Sequence, residues 1–308
     1  MIKKAYIFPG QGSQYVGMGK DLYHDNPKIR ELYQHANEIM GLDLATICFE
    51  GPEEKLRQTV ITQPAIFVHS MAVYEWIKDY FPAPSAVAGH SLGEYSALVV
   101  AGSLSFDDGL NLVKIRGELM QNAGTSQPGT MGAIIGLDTR LVNEICQSSD
   151  SKGIVCAANF NSPEQIVISG DVEAVRAALV LAKERGAKRA IELVVSGAFH
   201  SPLMESASVG LSEALKKTEI NNALIPVYTN VKAKPSIKNS EIRELLFKQL
   251  THPVRWEEII RHMASDHINE FYELGPGKVL TGLNKRINRE LLSTPVGTVA
   301  DIESLKIM

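Results

Sequence analysis

Cysteine is scarce: Cys48, Cys146 and Cys156 are the three thiols in 308 residues. Three cysteines cannot build a disulfide framework, and their spacing matches no zinc pattern, so no metal site is expected. They read as buried or inert thiols in a reducing compartment. Long hydrophobic runs are missing too. The most apolar stretch, Ala97 to Ala101, is far shorter than the ~20 residues of a membrane span. Met1-Ile2-Lys3-Lys4 begins like a signal peptide, but the apolar run that follows, Ala5 to Phe8, stops at Pro9-Gly10 and is too short for an h-region. An excess of charge of one sign is also absent. Lys plus Arg number 31 and Asp plus Glu 35, a net charge of −4, which excludes a strongly basic nucleic-acid coat though not a local basic patch. These absences predict a soluble cytoplasmic protein that binds neither membrane nor nucleic acid.

What is present is an ordinary globular composition, 44% hydrophobic and 21% charged, in a chain long enough to bury a sizeable core. Ala5-Tyr6-Ile7-Phe8 reads as a buried strand. Asn26-Pro27 opens a helix that stops at Gly41. A second helix runs from about Gln63 to Tyr80, with Pro64 in its first turn. Ser85 to Gly89 reads as a small buried strand, Leu92 to Val100 as a helix, and Ser105 opens a helix reaching about Asn122. Residues 123–130 have the composition of a linker. Then follow a strand (Met131 to Gly136), a helix (Arg140 to Gln147), strands at Gly153 to Ala158 and Gln165 to Ser169, a helix (Val172 to Arg185) and a strand (Lys188 to Val194). This β-α-β-β-α-β order is the ferredoxin-like arrangement. After Ser196-Gly197 the pattern is mostly helical, with a final strand from Phe271 to Leu274. The reading is an α/β body with a mainly parallel sheet, residues 1–125 and 198–308, interrupted by a ferredoxin-like insertion, residues 126–197.

Chemistry concentrates at Gly89-His90-Ser91-Leu92-Gly93. It follows a small apolar strand and opens a helix, the context a G-x-S-x-G nucleophile elbow requires. Flanking glycines permit a tight turn with strained backbone angles, and the helix start directs free N–H groups at the reacting oxygen. On its own the pentapeptide also fits a Gly-rich turn with Ser91 as a helix cap. A serine nucleophile needs a base, and two of the eight histidines are attractive: His200, where the insertion returns to the body, and His252. The loop Pro9-Gly10-Gln11-Gly12-Ser13-Gln14 suits an oxyanion hole, with the Leu92 N–H as the other donor. It fails as a dinucleotide loop because position 15 is Tyr15, and Gly275-Pro276-Gly277-Lys278 lacks the P-loop pattern. Arg116 lies in an otherwise apolar helical stretch, either as an ordinary surface arginine or as a bidentate clamp for a carboxylate.

Taken in order, these blocks resemble the malonyl-CoA:acyl carrier protein transacylase family. The resemblance runs from Phe8-Pro9-Gly10-Gln11-Gly12-Ser13-Gln14 through Gly89-His90-Ser91-Leu92-Gly93-Glu94-Tyr95, Arg116-Gly117, Asn159-Phe160-Asn161-Ser162-Pro163 and Gly197-Ala198-Phe199-His200-Ser201-Pro202. It continues with Gln249, Pro253-Val254-Arg255-Trp256 and Gly275-Pro276-Gly277-Lys278-Val279-Leu280. It implies an α/β-hydrolase-like body with a ferredoxin-like insertion, Ser91 as nucleophile and His200 as its base. Gln249 would orient the histidine through a main-chain carbonyl, and Gln11 and Leu92 would give the oxyanion-hole N–H groups. Arg116 would pair with the malonyl carboxylate, Asn159 would lie near the substrate, and Phe199 would crowd an α-methyl group. The implied substrates are malonyl-CoA and the phosphopantetheine thiol of an acyl carrier protein, with no permanently bound cofactor and a site complete in a monomer. Lys188-Arg189 and Lys285-Arg286 are candidate docking charges for an acidic carrier protein, or else ordinary solvated charges. The same dyad would also serve a thioester hydrolase, a free-standing polyketide-synthase-loading acyltransferase would share the motifs, and a non-catalytic acyltransferase-like partner would not need Ser91, His200 and Arg116 intact.

Overall fold

The computed structural model describes residues 3–149 and 152–306. Met1 and Ile2 of the leader-like start, and residues 150 and 151 within the span expected for the insertion, lie outside them. The strands in chain order are β1 (Lys3–Phe8), β2 (Ala86–Gly89), β3 (Gly129–Ile135), β4 (Val155–Ser162), β5 (Gln165–Asp171), β6 (Arg189–Glu192), β7 (Val227–Tyr228), β8 (Pro235–Ser236), β9 (Ile268–Leu274) and β10 (Leu292–Val296). They form a six-stranded sheet, β10-β9-β1-β2-β7-β8, and a four-stranded sheet, β4-β5-β3-β6.

The six-stranded sheet is parallel except where β8 turns back on β7. Its centre is apolar on both faces because helices cover both. Tyr6, Phe8 and Val87 pack on one side, with helices Thr59–Ile77 and Phe106–Ser126. Ala5, Ile7, Ala86 and Ala88 pack on the other, with helices Trp256–Ser265 and Val279–Ile287. The alternation along β1 is the period of two expected of a strand, with both sets buried.

The four-stranded sheet is antiparallel throughout and has the strand order of a ferredoxin-like unit. Ile134, Ile166, Ile168 and Ala190 point to helices Thr139–Ser149 and Val172–Glu184 and make a separate core with them. The opposite face, carrying Met131, Ala133 and Val167, closes over the carboxyl ends of β1 and β2 in the larger sheet.

Several sequence expectations shift. The expected linker 123–130 is helical to Ser126, where helix Phe106–Ser126 ends, and enters β3 at Gly129. Its Gly and Ser content suits close approach instead: a Cβ on Gly124 would lie 2.0 Å from the Ser196 carbonyl oxygen. The helix expected from Gln63 spans Thr59–Ile77, so Pro64 lies inside it rather than in its first turn. Phe271 to Leu274 is not the final strand, since β10 follows it. That strand contains Pro295, tolerated because β10 is an edge. The elbow helix begins at Gly93 rather than Ser91 or Leu92.

Candidate active site

Three neighbouring parallel strands deliver their carboxyl ends to one place, the position where open α/β sheets bind ligands. β1 leads into the loop with Gln11, β2 into the Ser91 elbow, and β7 into Asn230. The elbow is tight for a steric reason. A Cβ on Gly89 would fall 1.9 Å from the Gly93 carbonyl carbon, and one on Gly93 would fall 2.1 Å from the Phe8 carbonyl oxygen. The strained angles lie not in these glycines but in the serine: Ser91 has φ 52°. A non-glycine residue in this region is uncommon and marks a constrained site.

Ser91 Oγ and His200 Nε2 lie 2.7 Å apart. His200 Nδ1 faces two main-chain carbonyls, Gln249 at 2.8 Å and His252 at 3.1 Å. Carbonyls only accept, so Nδ1 carries the proton and Nε2 presents its lone pair to the serine hydroxyl. No acid is needed to set this tautomer. His252 thus enters through its backbone, while its ring pairs with Thr251 Oγ1 at 3.2 Å. His200 itself has φ 59°, a second left-handed residue at the centre.

Arg116 is 1% exposed. Gly117 lets its helix approach Thr59–Ile77 closely, since a Cβ there would lie 3.1 Å from Val60 Cα. Arg116 Nη1 donates to Gln63 Oε1 at 2.8 Å, and Nη2 donates to Ser91 Oγ and Gln249 Oε1, each at 3.0 Å. Its Nε is buried with no partner. The guanidinium also stands over the Tyr95 ring, 5.7 Å from its centroid. The surface-arginine alternative is therefore wrong: the charge is buried and faces Ser91.

The Gln249 amide completes a buried network. Its Nε2 donates to the Ser91 carbonyl and to Glu94 Oε2, each at 3.0 Å. Glu94 Oε2 also accepts the Asn230 N–H at 2.8 Å. Burial raises the Glu94 carboxyl to about 7 against these donors and the Arg116 charge, which favour ionisation. Burial first and Arg116 second push His200 down to about 3, so its ring is neutral over the physiological range. Burial also lowers Arg116.

Ser91, His200, Arg116 and Gln63 line a cavity of about 280 Å3. Gln11, Leu92, Asn159 and Phe199 line it as well, with Met120, Met131, Val167, Val195 and Leu280 supplying an apolar wall. Asn159 Oδ1 is buried without a partner. Its strand is bulged there, and Asn159 bridges to Val254 of the body. His90, whose role was open in the sequence, bonds Asn161 Oδ1 at 2.8 Å through Nε2 and leans on Trp256. The four basic residues are outside the cavity wall and exposed. Lys188 pairs with Glu164 at 3.2 Å, and Arg286 donates to Gln165, so one of each pair is already engaged.

Sequence reasoning missed Gln63, Asn230 and the role of Glu94. Gln63 had a signal, a polar side chain in a helix buried nearly all round. Asn230 had none, because β7 is two residues long.

An acyl transferase domain model matches residues 5–306. The malonyl CoA-acyl carrier protein transacylase of Bacillus subtilis (strain 168) is 45% identical over 304 residues, covering 98% of this chain and 96% of that protein. The chain belongs to the malonyl CoA-acyl carrier protein transacylase family. It is an acyltransferase, and its fold agrees with solved relatives of the family. The crystal structure of malonyl-CoA:acyl carrier protein transacylase from Xanthomonas oryzae pv. oryzae superposes with a TM-score of 0.95 at 43% identity, covering 99% of this chain and 98% of that one. A malonyl-transacylase in complex with its type II PKS acyl-carrier protein superposes at 0.96 with 41% identity, covering 99% and 100%. Among the described residues, no helix is long and apolar enough to cross a membrane. Within the same residues, no group of three or more His, Cys, Asp or Glu could hold a metal ion.

Proposed function

We propose that the chain moves a malonyl group from malonyl-CoA to the phosphopantetheine thiol of an acyl carrier protein, through a malonyl ester on Ser91, to supply extender units for fatty-acid synthesis. One observation carries the choice of malonyl: Arg116, fully buried, reaches Ser91 Oγ while its hydrogen bonds go to two amides and a hydroxyl rather than to a carboxylate. A buried guanidinium with an unclaimed N–H favours a ligand that brings its own carboxylate.

The steps follow from the atoms. His200 Nε2 takes the Ser91 proton as Oγ attacks the thioester carbonyl. The Gln11 and Leu92 N–H groups hold the oxyanion, each worth on the order of 10²-fold in rate. The carbon–sulfur bond breaks, and His200 returns its proton to the coenzyme A sulfur. The carrier thiol then gives its proton to His200, attacks the Ser91 ester, and leaves with the malonyl group as Ser91 regains a proton. The Gln249 carbonyl holds the imidazole throughout. Malonate has a second effect. Arg116 both donates to Ser91 Oγ and depresses His200. A malonyl carboxylate on Arg116 offsets that charge, so the base strengthens when the correct acyl group is bound.

Asn159 contacts the acyl-thioester arm, and Phe199 crowds an α-methyl group, favouring malonyl over methylmalonyl. Lys188, Arg189, Lys285 and Arg286 meet the acidic carrier. Residues 126–197 act as the insertion and the rest as the body. The chain works as a cytoplasmic monomer without a resident cofactor, on neither membrane nor nucleic acid. This is supported by its near-neutral charge and by a site drawn from one chain. Loading of a polyketide synthase is the second reading, favoured by the relative solved with a type II PKS carrier.

The test is intact mass after incubation with malonyl-CoA. The expected result is a malonyl adduct on Ser91 that a holo carrier protein discharges faster than water does. Absence of the adduct overturns the reading, and discharge to water alone makes the chain a hydrolase. Arg116→Ala should cut the preference for malonyl over acetyl by on the order of 10²-fold.

A further inference from the structure

We propose that Asn230 is a positioning residue that holds the elbow in its strained conformation and so sets the attack geometry of Ser91. The inference rests on Ser91 being the nucleophile. Asn230 follows β7, is 0% exposed, and touches the elbow from behind. Its side chain clamps two backbone groups of the turn. Oδ1 accepts the Ser91 N–H at 2.6 Å, and Nδ2 donates to the Gly89 carbonyl at 2.6 Å. Its own N–H donates to Glu94 Oε2 at 2.8 Å, and its carbonyl accepts the Arg255 N–H at 3.2 Å. The clamp is therefore itself held by the first turn of the elbow helix and by the segment ahead of helix Trp256–Ser265.

The need for it lies in the turn. With φ at 52°, Ser91 leaves the strand ladder, and the first turn bonds are donated by the Gly93 and Glu94 N–H groups, so the Ser91 N–H takes no part in them. Buried N–H and C=O groups in such a gap must find side-chain partners. A carboxamide presents one acceptor and one donor side by side, the pair that the Ser91 N–H and Gly89 carbonyl require. Aspartate offers two acceptors, and alanine offers nothing.

The experiment measures kcat and KM for malonyl-CoA, together with the labelling rate of Ser91 by a fluorophosphonate. It compares the full chain with Asn230→Ala and Asn230→Asp, each checked for native fold by circular dichroism. Alanine should lower kcat by about 10²-fold, the scale for a misplaced reacting group. KM should stay within about threefold, because the walls that bind substrate are untouched. Labelling should slow in parallel. Aspartate keeps the acceptor for Ser91 but sets an oxygen against the Gly89 carbonyl, so a loss of about tenfold is expected. Thr229→Val, a buried neighbour whose hydroxyl has no partner, should leave all three values unchanged. Wild-type kcat and labelling in both Asn230 variants would overturn the proposal. So would a fall in kcat matched by an equal rise in KM. If alanine fails to fold, the aspartate variant decides alone. Labelling does not depend on the acyl donor, so an error in the malonyl assignment would leave this comparison readable.

Discussion

The six-stranded sheet is parallel over most of its width and buried on both faces, whereas the four-stranded sheet is antiparallel and buries one face under two helices. The first holds the buried charge, Glu94 and Arg116 packed in the helices around β2, and a left-handed residue at the centre of the site, Ser91, whereas the small sheet's left-handed residue, Glu164, sits in the turn between β4 and β5. The second has a plain amphipathic build, with Ile134, Ile166 and Ile168 inward and Met131, Ala133 and Val167 forming a wall of the cavity. The larger sheet is thick enough to enforce unfavourable local geometry, because helices on both sides over-determine the backbone between them. The small sheet shapes the space above. Chemistry and enclosure are assigned to different cores, and variants can separate them.

The largest effect belongs to Ser91. Ser91→Ala should reduce acyl transfer by about 10⁴-fold or more while leaving the melting temperature near that of the parent, read by steady-state turnover and calorimetry. Substantial residual turnover would move the chemistry elsewhere in the molecule. Next is Ile168→Ala, a fully buried residue in the small core. It should cost about 2–4 kcal/mol in a denaturant melt. One transition would make the two sheets a single cooperative unit, whereas an early separate transition would give residues 126–197 their own stability.

Acid response is the third comparison. The folded protein holds His200 well below its unfolded value, so the unfolded chain takes up the proton first. His200 therefore contributes stability that is complete above about pH 6.5 and lost as pH falls toward about 3. Replacing it by glutamine should flatten the acid side of the stability profile by roughly 1 kcal/mol per pH unit in that window. His69, buried and pushed down to about 4, remains in the variant and keeps part of the slope. An unchanged slope would mean that His200 is more accessible to protons than its burial implies. The smallest effect is at the surface. Reversing Lys188 and Arg189 together should raise the KM for the carrier protein a few-fold at low salt and leave the malonyl-CoA KM unchanged. An identical carrier KM would assign docking to Lys285 and Arg286 or to neither pair.

Much of this was readable along the chain wherever function sits in contiguous residues. β1 with its glycine loop, β2 with the elbow, and the six alternating elements between Gly129 and Glu192 all announce themselves by local pattern and turn chemistry. The weakest readings were elements too short for a period to show. β7 and β8 have two residues each, and β10 carries a proline. Linker composition at residues 123–130 also misled, because glycine there serves helix-to-chain contact.

By itself the sequence marked residues 89–93 as a strand–helix turn carrying a serine, since the steric exclusion at Gly89 is against nearby Gly93; the exclusion at Gly93 is against Phe8 of β1 and belongs to the fold. The family resemblance supplied His200 as its partner. Only the tertiary structure decided that the His200 ring is neutral, through burial and the Arg116 charge, and which ring nitrogen holds its proton, through carbonyls 49 and 52 residues away. Only the fold decided between a surface and a buried Arg116, placing its guanidinium against Ser91. Only the fold brought Asn230, 139 residues distant, against the Ser91 N–H. Hydrogen bonds and desolvation depend on what packs within a few ångströms, and long-range packing leaves no periodic trace in the chain.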